Sequence, residues 1–193
     1  RWINNDTIKS SMETLSKDVL VIERYEYGSV IGHLVSAKIG GETVTDKSVL
    51  LNLLEEQVAQ SSETHEQIGY IEKHLIGAIN YEIEELRFEE KKLRLDNAFT
   101  PEEEARLAAE RAEFQSEFEA YQAETEVLYN KLNNFGEVTV EISNGQTLTV
   151  PIKKIVDFWR PNNMSFVDKL GFFGHSIGNF LFDDPREANT EGG

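Results

Sequence analysis

The chain has no cysteine, and only four of its 193 residues are proline and two methionine. Without cysteine, a disulfide framework and thiol chemistry are both excluded. Basic residues are scarce: 19 Lys and Arg stand against 35 Asp and Glu, a formal net charge of −16. That deficit argues against nucleic-acid binding and against docking on anionic lipid headgroups, since both need basic patches. Long apolar runs are missing too. No stretch approaches the ~18–20 apolar residues that a spanning helix requires.

With 39% hydrophobic and 28% charged residues, the composition favours an elongated body with much solvated surface, still large enough to bury a core. Two stretches near the start read as strands. Asp18-Val19-Leu20-Val21-Ile22 and Val30-Ile31-Gly32-His33-Leu34-Val35 are rich in β-branched residues and flank a polar break at Glu26-Tyr27-Gly28. A second pair lies far downstream. Val138, Val140 and Ile142 alternate with Thr139 and Glu141, and Asn144-Gly145 then turns the chain toward Leu148 and Val150. Asn-Gly predicts a two-residue hairpin turn with positive φ at both positions.

Between these pairs the period changes. Leu50, Leu51, Leu53, Leu54 and Val58 open an amphipathic helix, and Ile68, Ile71, Leu75, Ile79, Ile83, Leu86 and Leu93 continue its stripe. Asn97-Ala98-Phe99-Thr100 interrupts it. Thr100, Pro101 and Glu103 then give a capping box with proline in the first turn. The second helix carries Leu107, Phe114, Phe118, Tyr121, Leu128 and Leu132 on an alternating four-and-three register, with Arg111 and Thr125 in the gaps. That 3.5-residue period is the mark of a coiled-coil seam, and so short a turn makes the helices antiparallel.

The expected fold is therefore α+β: a long antiparallel, coiled-coil-like helical hairpin inserted in a small β module, followed by a C-terminal amphipathic helix. Its expected parts are residues 1–45 and 135–152 for the β module, 46–134 for the hairpin, and 153–193 for an amphipathic segment leading to a membrane span outside the chain. In that last segment Ile152–Trp159 is a short helix or strand, and Ser165-x-x-Asp168 caps a helix through about Phe182. Six of the eleven phenylalanines lie between Phe158 and Phe182, which makes this the most apolar surface on offer. Phe166, Leu170, Phe173, Ile177 and Leu181 fall on one face of that helix, and with Phe99 at the hairpin tip they are the candidate partner or membrane contacts.

Chemistry is harder to find. His33, His65, His74 and His175 lack metal-ligand spacing. Glu82, Glu84, Glu85 and Glu102-Glu103-Glu104 lie on polar helix faces beside Lys91, Lys92 and Arg94, so they read as solvated, paired charge and not as catalytic carboxylates. Gly171, Gly174 and Gly178 follow the capping signal and do not precede it, which argues against a phosphate loop. Gly174-x-x-x-Gly178 suits close helix packing. No catalytic, cofactor-binding or metal-ligating residue is assigned, and no enzyme is expected.

The last residues carry a resemblance. Arg186-Glu187-Ala188-Asn189-Thr190-Glu191-Gly192-Gly193, with Arg160-Pro161-Asn162-Asn163-Met164-Ser165 and Asp168-Lys169-Leu170-Gly171 before it, resembles the extra-membrane region of PstA-type permease subunits of bacterial phosphate ABC transporters. Val21-Ile22-Glu23-Arg24, Ile71-Glu72-Lys73, Ile76-Gly77-Ala78-Ile79-Asn80 and Glu85-Leu86-Arg87 are similar to other parts of that region. The resemblance implies a piece of a longer inner-membrane protein, facing the periplasm. It also implies a part in phosphate import with a partner permease, a paired ATPase reached through the membrane part, and a periplasmic phosphate-binding protein. The hairpin would then be an accessory docking or assembly element without a cofactor. The competing expectation is a free-standing coiled-coil interaction or structural protein.

Overall fold

The computed structural model describes residues 16–182. The chain is mixed α+β, with six antiparallel strands, a helix of 49 residues with a wider central turn, a second long helix and a short C-terminal helix.

Strand β1 (Val19–Arg24) pairs with β2 (Val30–Ile39), which also takes the short β3 (Glu42–Val44) and β4 (Glu137–Ile142). β5 (Thr147–Pro151) and β6 (Ile155–Trp159) complete the order β5-β4-β2-β1-β6. The two strand pairs foreseen from sequence thus join in one sheet through β2 and β4. Gly32 is required at that junction, because a Cβ there would sit 2.3 Å from the Glu141 carbonyl oxygen. The sheet also runs past residue 152. Ile155–Trp159 is a strand along β1, so of the helix or strand expected there the strand forms, and the β module extends past its expected end at residue 152. β-branched Ile155 and Val156 suit an edge position.

Asn144-Gly145 turns the chain differently from the two-residue expectation. Positive φ there belongs to Gly145 alone, at 79°. Its N–H bonds the Ile142 carbonyl, and the Ile142 N–H bonds the Gln146 carbonyl. This is the longer, bulged form of hairpin, with glycine in the left-handed position. The β1–β2 turn holds Tyr27 and Gly28 at φ 65° and 66°, and Arg24 donates to both of their carbonyls.

The inner side of the sheet (Leu20, Ile22, Leu34, Val138, Val140, Ile155) packs with Leu50, Leu54, Val58 and Ile68 of α1 (Lys47–Tyr70) and with Leu132 and Phe135. Asp46 caps α1, accepting from the Ser48 N–H and hydroxyl. Those bonds hold its carboxyl below the usual range.

α1 runs through a π-helical segment, Ile71–Ile76, into α2 (Gly77–Leu95) without a break. The stripe explains the wide turn. Ile71, Leu75, Ile79 and Ile83 are spaced by four three times running, which outruns a 3.6-residue period, and π geometry absorbs the excess. Residues 96–100 connect α2 to α3 (Pro101–Asn133), where the Thr100 hydroxyl accepts from the Glu103 N–H. The Glu103 carboxylate is taken by Arg106 at 2.9 Å.

α3 lies against α1, the π segment and α2. Tyr129 bonds Glu72, Arg111 pairs with Glu90, and Arg106 pairs with Glu89. Leu107, Thr125 and Leu132 are buried, while Arg111, Phe114, Phe118, Tyr121 and Leu128 are half-buried. These are the eight positions of the four-and-three register along α3.

Candidate functional site

The C-terminal helix α4 (Phe166–Phe182) begins at a complete capping box. The Asp168 N–H donates to the Ser165 hydroxyl, while the Ser165 N–H and hydroxyl both donate to the Asp168 carboxylate, at 2.9 and 2.7 Å. Those two bonds keep the Asp168 carboxyl below its ordinary range, hydroxyl first. Phe172 lies against Trp159 of β6, the rings tilted by 42° with centroids 4.7 Å apart. Trp159 pairs with Val21 across the ladder, so it belongs to the side of the sheet away from α1.

Four of the foreseen contact residues remain uncovered on α4. Phe166, Leu170, Phe173 and Ile177 are 81%, 62%, 62% and 43% exposed. The side chain of Leu181 lies outside the described residues. Exposure of this many large apolar groups along one helix is what partner or membrane contact requires. Water gains nothing from wetting them.

Phe99 is less available than expected. It is half-buried, with the Arg94 guanidinium 3.9 Å above its ring. The exposed apolar residue at that end is Leu95, with Phe88 one further stretch back along α2.

The paired α2 and α3 form an arm whose distal end, next to the 96–100 connection, is tied by charge. Glu90 accepts from Arg94 and Arg111, and these bonds, Arg111 first, hold its carboxyl below the usual range. Arg106 gathers Glu103, Glu110 and Glu89, which push its pKa upward. Nearer the base, partial burial and then the Glu72 bond raise Tyr129. Within the acidic clusters, Glu84 pairs with Arg87 and Glu103 with Arg106, three residues apart along their helices.

A cavity of about 80 Å³ lies where α1 meets β1 and β2, lined by Leu20, Leu34, Leu50, Leu51, Asp18, Lys47 and Arg160. It is well below the ~300 Å³ at which small-molecule sites begin. Among the described residues, no group of three His, Cys, Asp or Glu is placed to hold a metal ion. His65 makes a 2.8 Å hydrogen bond with the Lys153 carbonyl and lies against Tyr25, and His74 lies against Tyr70. No described helix is long and apolar enough to cross a membrane.

Sequence reasoning missed the outer side of α2, where Tyr81, Phe88 and Leu95 stand exposed among charged residues. Their seven-residue spacing was the available signal. The uncovered apolar residues of α4 were legible from helical periodicity. No family model, no curated protein and no solved structure matches the chain.

Proposed function

We propose that this chain is the extra-membrane, periplasm-facing part of a PstA-type phosphate permease. In this reading it takes part in inorganic phosphate import as an accessory docking or assembly element. The observation that carries it is the uncovered apolar face of α4, Phe166, Leu170, Phe173 and Ile177, in the stretch leading to the Arg186–Gly193 run that resembles the family. A helix of that kind is satisfied at a membrane surface or against a membrane partner, where its phenylalanines leave water at roughly 25 cal/mol per Å² of apolar area removed.

The helix pair is an antiparallel, coiled-coil-like hairpin carried on the β module. The alternating four-and-three burial along α3 and the cross-helix pairs Glu72–Tyr129 and Glu90–Arg111 support this. Its rigid, charged surface suits recognition by a protein: the partner permease or the periplasmic phosphate-binding protein. The paired ATPase would be reached only through membrane segments. No step of chemistry is assigned to the chain.

A second reading, a free-standing coiled-coil interaction protein, is favoured by the exposed row on α2. Fractionation of cells carrying the tagged parent protein separates the two. The transporter reading expects the protein in the inner membrane, co-purifying with a permease and an ATPase, and hydrophobic spans of about 20 residues encoded beyond Gly193. A protein found wholly in a soluble fraction, with a polar continuation or a stop after Gly193, supports the second reading instead.

A further inference from the structure

The outer side of α2 carries large apolar side chains at a fixed interval. Tyr81, Phe88 and Leu95 are seven residues apart and 64%, 60% and 82% exposed. Seven residues fall short of two full helical turns by only about 20° of rotation, so the three form one row. The row lies opposite Ile79 and Leu86, which are buried. A seven-residue repeat is matched by another helix running alongside, because a helix presents side chains at the same interval.

The charges beside the row say which helix. Glu84 and Glu85 stand four and three residues before Phe88, and Lys91 and Lys92 stand three and four after it. All four are exposed. Turning α2 end over end about an axis through Phe88 sets Glu84 and Glu85 against Lys91 and Lys92 of an identical helix. The same operation sets Phe88 against its own counterpart and Tyr81 against Leu95. A parallel, in-register pairing would set glutamate on glutamate and lysine on lysine, which is repulsive.

From this self-complementarity we infer that two copies of this chain pair through the outer row of α2, antiparallel, about a two-fold axis at Phe88. Such a contact is isologous and closed, so it stops at a dimer. Glu85 and Lys92 form no ion pair among the described residues. Glu84 bonds Arg87 of its own chain, and Lys91 holds its Nζ 5.5 Å from the Phe88 centroid, already at the row's edge. Three apolar pairs make a small interface, at the weak end of specific association.

The test is sedimentation equilibrium of the 193-residue chain across a concentration series, with variants. The wild type is expected to pass from monomer to dimer as concentration rises, and Phe88→Glu to stay monomeric with unchanged helix content, since the site is exposed. Glu84→Lys with Glu85→Lys should weaken dimerisation by more than about tenfold, and adding Lys91→Glu and Lys92→Glu to the same chain should restore it. Because the natural chain has no cysteine, single introduced cysteines report the arrangement. Phe88→Cys should form a disulfide with itself, and Tyr81→Cys should form one with Leu95→Cys but not with another Tyr81→Cys. A chain monomeric at every soluble concentration, a dimer indifferent to Phe88→Glu, or a Tyr81→Cys self-disulfide overturns the inference.

Discussion

Ser61 is fully buried in α1, and its hydroxyl has no hydrogen-bond partner among the described residues. One turn on, Thr64 is equally buried, but its hydroxyl donates to the Gln60 carbonyl at 2.8 Å. A buried hydroxyl without a partner keeps its desolvation cost and returns nothing. Ser61→Ala is therefore expected to leave the fold intact and raise its stability by about 1 kcal/mol, read as an upward shift of the urea midpoint at unchanged slope. A loss of stability would mean that the hydroxyl is bonded. At this scale the caps were legible from sequence, because Thr100 and the Ser165–Asp168 box act within three residues. Ser61 and Gly32 were not, since their roles come from what approaches them across the fold. The Asn144-Gly145 turn was only half legible. Its glycine takes the left-handed position, but the extra residues of the loop let Asn144 avoid it.

The helices were read from spacing, and spacing also explains the feature it did not foretell, the π segment at Ile71–Ile76. Three consecutive steps of four were visible in the sequence, yet how the backbone would absorb the drift depends on α3 holding the stripe in line. Arg111 occupies a seam position where the pattern calls for an apolar side chain, and the structure supplies the reason by pairing it with Glu90. Glu90 has a lowered pKa in the folded chain, so its pairing stabilises fully above the ordinary carboxylate range. That stabilisation is lost as pH falls through the lowered value. Glu90→Gln is thus expected to lower the thermal midpoint at pH 7, with the gap from wild type closing in acid. A gap that stays constant from neutral to acid pH would show that ionised Glu90 does not hold the arm's distal end. The outer row of α2 escaped the sequence reading for a different reason. On a helix with so many charges, three apolar residues on the polar side pass for scattered surface until the fold shows that all are exposed and aligned.

For the molecule as a whole, sequence pattern gave the class and the order of parts, while the sheet's membership was settled only in three dimensions. β6 is a five-residue strand whose partner, β1, lies more than a hundred residues earlier, and no local signal names a partner that distant. The uncovered side of α4 was legible as amphipathicity, though what covers it was not. We propose that the arm serves docking or assembly within a phosphate transporter. The structure shows where the arm can be removed: Glu72 and Tyr129 face each other across it, while Ile68 and Leu132 below them belong to the core. Replacing residues 73–128 by a short glycine-rich turn should leave the β module folded. Phosphate uptake by cells carrying that excision, measured together with recovery of the assembled transporter, is the most direct test. A marked fall in assembly or uptake, with the protein still made at normal levels, is the predicted result. Full uptake with unchanged assembly would contradict the claim.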